Sequence, residues 1–327
     1  MSIPKKKQSQ TKFDLQNIYK FISELGVGAF GTVWKVEDIK SKKLRAIKLI
    51  EKYNGMGVTG KIVNDEIDAL KKLNKVPGSE KYIIKFYRFF IGFGVPKANK
   101  DQEYLVLEME YFDGVDLFDY VNPKKKQKLP YTFTLDILCK IIKHLLEALK
   151  FIHSNGMAHR DIKPSNIMFD GNRLLLVDFG MACLFSECKG LVGTPGYIAP
   201  EIYQCYNKKS NYGTKSELLS TGMCNIDWSK ADIYSLGKTF QFLIMNSEYS
   251  TNIINELVWS MTSDVPKMRL NTVESLKIMS KKKACSNGVI TKGKNWPGSK
   301  KSKGSYISNV SSGKKPTFDG WTWVGNV

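Results

Sequence analysis

The residues best suited to chemistry fall in four short runs. "HRDIKPSN", His159 to Asn166, packs an arginine, an aspartate and a lysine into four consecutive positions, with a proline and an asparagine behind them. Such a run makes a poor core strand and a poor helix interior, so it reads as a loop kept for its side chains. "VDFG", Val177 to Gly180, follows the apolar run "LLL". A carboxylate ending a buried strand suits a hard metal: Asp178 supplies one oxygen, and waters and phosphate oxygens complete the octahedron of Mg²⁺. "GVGAFGTV", Gly26 to Val33, fits G-x-G-x-x-G-x-V. A dinucleotide-binding loop carries the same glycines but opens a helix. Here the strand-like "TVWKVEDI" follows, which favours a strand–loop–strand flap whose glycines let backbone amides approach phosphates. An ordinary glycine-rich hairpin has the same pattern. "AIK" ends at Lys48, read as the close of a strand from which a lysine reaches phosphates across a cleft. Glu66, beside Ile67 and one turn before Leu70, is the carboxylate placed to steady it. Taken alone, that pair is better explained as a solvated surface contact.

The elements that must position these runs change type along the chain. From about Tyr19 to Met109 the pattern is mostly short strands, "GTVWKVE" and "RAIKLIE" among them. One helix interrupts them, "KIVNDEIDALKKL", with Ile62, Ile67, Leu70 and Leu73 on one apolar face. From Leu135 the pattern is helical: "LDILCKIIKHLLEALKFIHSNG" stops at a glycine, and "ADIYSLGKTFQFLIM" reads as a second buried helix. After about Ser280 the composition turns to Lys, Gly and Ser, which predicts a mostly disordered tail. The expected division is a basic flexible extension over 1–18, a two-lobed domain over 19–280 and a basic tail over 281–327.

Composition limits the function classes. The 327 residues, 42% hydrophobic, suffice for a sizeable core split between two lobes. A net charge of +19 favours acidic partners, nucleic acid or anionic surfaces, or else simply keeps the chain soluble. Lysine dominates arginine, which argues against sequence-specific nucleic-acid reading. The six cysteines form no C-x-x-C and only three histidines exist, so a zinc site is not expected. The N-terminus has no apolar signal segment and no run is long enough to span a membrane. The expectation is an intracellular protein of the cytoplasm or nucleus, with free thiols.

Taken in order, these motifs resemble those of eukaryotic-type protein kinases of the serine/threonine branch. The Gly-rich loop, Lys48, Glu66, His159-Arg160-Asp161, Asn166, Asp178-Phe179-Gly180 and Ala199-Pro200-Glu201 all appear in the family's order. "DIYSLG" from Asp232 and Arg269, placed to pair with Glu201, extend the match to about residue 280. The resemblance implies an α+β bilobal fold, with a small β-rich N-lobe (about 19–109), a hinge (110–114) and a larger helical C-lobe (115–280). It implies transfer of the γ-phosphoryl of Mg-ATP to protein Ser or Thr hydroxyls. Asp161 would accept the hydroxyl proton, Lys163 would neutralise the transferred phosphoryl, and Asn166 and Asp178 would hold Mg²⁺. Pro164 would stiffen the loop, and Thr194 would bond Asp161 and Lys163. The nucleotide would be covered by Leu25, Gly26, Val27, Gly28, Ala29, Phe30, Gly31, Thr32 and Val33 and held by Lys48, itself steadied by Glu66. Val33, Ala46 and Met168 would sandwich adenine, the Glu110 carbonyl and Phe112 amide would pair with it, and Met109 would be the gatekeeper. Protein substrates and a monomer are implied. Alternative readings are a pseudokinase scaffold, opposed by the complete catalytic set, and a nucleic-acid binder acting through the tail.

This chain departs from the family in three places. The polar stretch between Glu201 and Asp232 is long, and that between Asp232 and Arg269 is short, which puts the usual helix there in doubt. The activation segment, Asp178 to Glu201, has Ser186 as its only hydroxyl between Met181 and Gly193, and Gly190 at the customary phosphorylation position. Arg160 marks the kinases that need an anion there. Glu187 is the built-in candidate, so activity without phosphorylation is expected. The tail over 281–327 carries ten lysines against one acid, Asp319. It suits a tether to acidic partners or nucleic acid, a nuclear address shared with "PKKK" at 4–7, or a solvated tail.

Overall fold

The computed structural model describes residues 12–28, 31–51, 58–96, 98–99, 101–122, 133–210, 225–247, 249–286 and 289–290. Contacts divide the chain into two compact units, one holding residues up to Lys61 with Lys85–Phe112, the other Ile62–Ile84 and the chain from Asp113.

The first unit is a six-stranded sheet. Its strands are β1 (Lys12–Asp14), β2 (Tyr19–Gly28), β3 (Gly31–Asp38), β4 (Leu44–Glu51), β5 (Phe86–Phe93) and β6 (Tyr104–Glu110), in the order β1-β5-β6-β4-β3-β2. All neighbours are antiparallel except β1 and β5. Alternation along β4 sends Ile47 and Leu49 to one face, where they pack with Leu15, Tyr19, Val36 and Val106. Within that face Glu108 is buried, accepting from Tyr19 Oη at 2.7 Å and from Nε of Arg88 and Arg45 at 2.6 and 3.1 Å. The carboxylate is thus hydrogen-bonded and paired on every side, as a buried charge must be.

The expected extension over 1–18 is corrected here. Residues 12–14 form the edge strand β1, and Leu15 is fully buried in the first short helical turn. Leu15, eight residues past the lysine run at 5–7, is a core anchor, and burying it outweighs the tendency of a terminus to fray.

The second unit is mainly helical: α1 (Val58–Asn74), α2 (Leu117–Val121), α3 (Leu135–Ser154), α4 (Pro200–Ser210), α5 (Trp228–Ser247), α6 (Asn252–Met261) and α7 (Thr272–Met279). Short strands β7 (Val115–Asp116), β9 (Ile167–Phe169) and β10 (Leu174–Leu176) form one small sheet, and β8 (Met157–Ala158) pairs with β11 (Cys183–Leu184). α3 is the spine of this unit. Thr134 caps it by accepting from the Ile137 amide, and Leu138, Ile141, Leu145, Leu149 and Ile152 are buried along one stripe. Residues 62–84, expected in the N-lobe, group with this unit because the Leu176 amide donates to the Tyr82 carbonyl and the Ile84 amide to the Leu176 carbonyl.

The expectation of free thiols is also corrected. Cys139 of α3 is bonded to Cys285, and Cys183 to Cys188; Cys205 is disulfide-bonded as well, and among the described residues no cysteine is free. Scattered sequence positions carry no sign of such pairing, because it depends on which loops the fold brings together. The first bond ties down a short helical turn (Lys282–Cys285), and β13 (Val289–Ile290) then pairs with β12 (Tyr249–Ser250). The structured chain therefore continues past Ser280. Residues 211–224 of the long polar stretch, and 291–327, lie outside the described residues.

Candidate active site

The loop at 159–166 connects β8 to β9 and is fixed from beneath by Asp232. This carboxylate, on the first turns of α5, is 1% exposed. Its Oδ2 accepts from the His159 amide at 2.8 Å and lies 3.0 Å from His153 Nε2, and its Oδ1 accepts from the Arg160 amide at 2.8 Å. Burial by itself raises the Asp232 pKa, but the His153 contact and the backbone amides outweigh it and hold the group below the ordinary carboxylate range. These bonds sustain Arg160 at φ 65°, a left-handed backbone that a non-glycine residue rarely adopts. The "DIYSLG" motif was legible in the sequence; its grip on the loop amides was not.

Above that anchor four side chains converge. Asp161 Oδ1 accepts from Thr194 Oγ1 at 2.7 Å. Its Oδ2 accepts from Asn166 Nδ2 at 2.9 Å and lies 3.1 Å from Lys163 Nζ. Lys163 Nζ also donates to Thr194 Oγ1 at 2.8 Å, and Asn166 Nδ2 donates to the Asp161 carbonyl at 2.8 Å. Pro164 opens a short helical turn that brings Asn166 back over Asp161. The Val177 amide donates to the Asn166 carbonyl at 3.0 Å, so the chain entering Asp178 runs beside Asn166. Asp178 also adopts a left-handed backbone, φ 58°, and the adjacent Phe179 ring packs 4.8 Å from the His159 ring. Met168 sits on β9 opposite Asp116.

Both Asn166 nitrogen bonds go to Asp161, which assigns the amide's other atom, an oxygen, to a remaining partner. An amide oxygen and a carboxylate are hard donors, and they fit Mg²⁺ completed by water and phosphate oxygens rather than a softer metal. Among the described residues, no cluster of three or more His, Cys, Asp or Glu offers an all-protein metal cage.

In the sheet unit, strand register groups the nucleotide candidates. Val33 pairs with Lys48, and Ala46 with Met109. Directly opposite residues share a face and so do positions i and i+2, so all four lie on the face opposite Ile47 and Leu49. Lys48 is buried, and β4 continues past it to Glu51 rather than ending there. Leu25, Gly26, Val27 and Gly28 end β2, and Gly31, Thr32 and Val33 open β3; Gly26, Val27 and Gly28 pair with Val33, Thr32 and Gly31, and Leu25 falls at a register shift. Ala29 and Phe30 lie outside the described residues. The Glu110 amide donates to the Lys85 carbonyl at 2.9 Å, and Phe112 is buried. Glu66 is buried on α1 in the other unit.

The expected pairing of Arg160 with Glu187 does not form. Arg160 Nε donates to the Met181 carbonyl at 2.6 Å and Nη1 to the Lys189 carbonyl at 2.7 Å, while its guanidinium lies 5.3 Å from the Trp228 ring centroid. Burial depresses its pKa to about 10, countered in part by Asp232 and Asp65. Backbone carbonyls, invisible to side-chain reading, satisfy it. Glu201 and Arg269 do pair, through Nη1–Oε1 and Nη2–Oε2 bonds of 2.7 Å each, with Arg269 1% exposed.

The family model for the protein kinase domain matches residues 19–288. The chain is 32% identical over 214 residues to "Probable serine/threonine-protein kinase 2" of Plasmodium falciparum, covering 64% of this chain and 37% of that protein. It is 30% identical to "Serine/threonine-protein kinase ppk11" of Schizosaccharomyces pombe, covering 63% of this chain and 59% of that one. It is 33% identical to "Serine/threonine-protein kinase chk1" of the same yeast, covering 65% and 42%. The chain thus spans between about two fifths and three fifths of the length of these relatives. With the match covering most of the chain, and its motifs standing in the geometry just described, this chain belongs to the protein kinase domain family.

Proposed function

We propose that the protein is an ATP-dependent serine/threonine protein kinase, transferring the γ-phosphoryl of Mg-ATP to hydroxyls of protein substrates. The observation that carries this reading is the Thr194 hydroxyl donating to Asp161 Oδ1. It is the hydrogen bond that a substrate alcohol would make as it gives up its proton.

Asp161 orients the incoming hydroxyl and takes that proton as the oxygen attacks phosphorus and the bond to the β-phosphate oxygen breaks. Lys163, already near the Asp161 carboxylate, neutralises charge on the transferred group. Asn166 and Asp178 would hold Mg²⁺, which when bound would supply positive charge to offset that of the phosphates. In the sheet unit Lys48 is assigned to the phosphates and the β2–β3 hairpin to their cover. Val33 and Ala46 are assigned to the adenine ring and Met109 to the gatekeeper position, with the Glu110 carbonyl and Phe112 amide pairing the adenine edge; Met168, on β9, is the third residue assigned to the ring. The relatives' names support the serine/threonine class, as does Lys163 two residues after Asp161. The enzyme acts as a monomer on this reading, and its lysine-rich segment beyond Ile290 tethers it to acidic partners. No described helix is long and apolar enough to cross a membrane.

The direct test is phosphoryl transfer from Mg-ATP to a Ser/Thr peptide library, with phosphotyrosine and ATP hydrolysis scored in parallel. Label on serine and threonine is expected. Label confined to tyrosine, or hydrolysis alone, would refute the assignment.

A further inference from the structure

Beside Arg160, in the activation segment, lies a feature that phosphoryl transfer does not require. Cys183 and Cys188 close a small ring within the activation segment. Cys183 lies on β11, paired with Ala158 immediately before the 159–166 loop. Inside the ring, the Glu187 and Cys188 amides donate to the Leu184 carbonyl, and the Phe185 amide donates to the Gly156 carbonyl. Arg160 then clasps both flanks, the Met181 carbonyl on one side and the Lys189 carbonyl on the other. Both cysteines, with Phe185 and Leu191, pack on the cluster of Ala158, Ile198, Ala199, Ile202 and Trp228.

Downstream, the chain must travel from Lys189 to Thr194 through two glycines at positive φ, Gly190 (82°) and Gly193 (113°). A Cβ on Gly193 would meet the Arg160 carbonyl at 2.7 Å. Glycines give this stretch little conformational preference of its own. Its order therefore depends on where Lys189 is held, and Lys189 follows Cys188 directly. No hydroxyl stands at the position where a phosphate customarily supplies such order, and Glu187 does not reach Arg160.

We infer that the Cys183–Cys188 bond is a reversible thiol switch, which in its oxidised form orders the activation segment in place of a phosphate. The inference rests on reading Asp161 as the proton acceptor. Both cysteines are only partly buried and stand beside the exposed Ser186 and Glu187, on the side from which a small thiol would approach. The exchange is with a dithiol reductant. One of its thiolates attacks a protein sulfur, forms a mixed disulfide and expels the other cysteine as thiolate. Its second thiolate then displaces the first cysteine. The protein disulfide gains two electrons and two protons, and the dithiol leaves as its own disulfide.

The test uses the full chain, oxidised and phosphatase-treated, with peptide phosphorylation followed across a dithiothreitol titration. Differential alkylation and mass spectrometry report each disulfide separately. The rate should fall as the Cys183–Cys188 link is lost, by roughly 10-fold and by no more than about 40-fold, the limit set by loop-closure entropy for so short a ring. A Cys183→Ser/Cys188→Ser variant should start slow and ignore dithiol. A rate that is unchanged or higher once the link is gone would overturn the switch. So would a double variant that responds to dithiol as the wild type does, because another disulfide would then be responsible. Should the double variant not fold, the wild-type titration decides: a rate tracking Cys139–Cys285 instead overturns the proposal. No turnover in either redox state would overturn the Asp161 reading and the switch with it, whereas failure of the switch alone leaves turnover intact and redox-blind.

Discussion

Asp161 receives donors from three side chains, Thr194, Asn166 and Lys163. Asp161→Asn keeps the size of the residue and removes the proton acceptor. The expected loss in turnover is about 10²–10⁴-fold, while the thermal shift produced by Mg-ATP is retained. Asp178→Asn should instead reduce that thermal shift as well as turnover, because it removes a hard ligand. Asp232 acts one layer below. Its depressed pKa means that its contribution to stability is present above the unfolded carboxylate pKa, about 3.9, and is lost as pH falls through the lower folded value. In urea titrations from pH 7 to pH 3, the stability gap between wild type and Asp232→Asn should be widest near neutrality and shrink through the acid end. A gap independent of pH would show that the charge of Asp232 contributes nothing.

At the scale of elements, the Glu201–Arg269 pair ties the start of α4 to the turn before α7. Arg269 is buried and gives further bonds to the Ser263 and Lys230 carbonyls, so it has no solvent to fall back on. Glu201→Ala leaves that guanidinium buried without its counter-charge and should cost about 3–5 kcal/mol in unfolding free energy. Because α4 ends the activation segment, peptide turnover should fall with it. The helices themselves follow from local rules: Thr134 at the head of α3, Asn271 with Glu274 in a reciprocal cap on α7, and apolar spacing between. The catalytic loop follows no such rule. Its shape comes from Asp232, more than sixty residues downstream, whose bonds to the His159 and Arg160 amides sustain the left-handed backbone of Arg160.

For the molecule as a whole, the contribution of the residues just past Ser280 is testable. The Ala284 carbonyl accepts from Thr251 Oγ1 at 2.9 Å, Cys285 is bonded to Cys139, and Val289–Ile290 pair with β12. A chain cut after Ser280 loses all three, including a disulfide closing a ring long enough to be worth up to about 5 kcal/mol. Its melting temperature should drop by several degrees under oxidising conditions. A chain cut after Ile290 keeps all three, should melt above the chain cut after Ser280, and should elute from a polyanion column at lower salt than the full chain, having lost the lysines beyond Ile290. Equal melting temperatures for the two truncations would place the boundary nearer Ser280.

What the sequence by itself determined was the family, and with it the candidates for the reacting groups, since both rest on residue types at fixed short spacings: Gly26 to Val33, Asp161 to Asn166, Asp178 to Gly180. The alternation that sets Ala46 and Lys48 on one face and Ile47 on the other was equally local, being a period of two along one strand. Tertiary structure alone decided how those groups are held. The burial of Leu15, the pairing of cysteines as far apart as 139 and 285, and the capture of Arg160 by carbonyls rather than by Glu187 each depend on distant segments meeting. Backbone amides and carbonyls are the same at every residue, so a sequence carries no mark of which ones a buried charge will find; only the packed chain selects them.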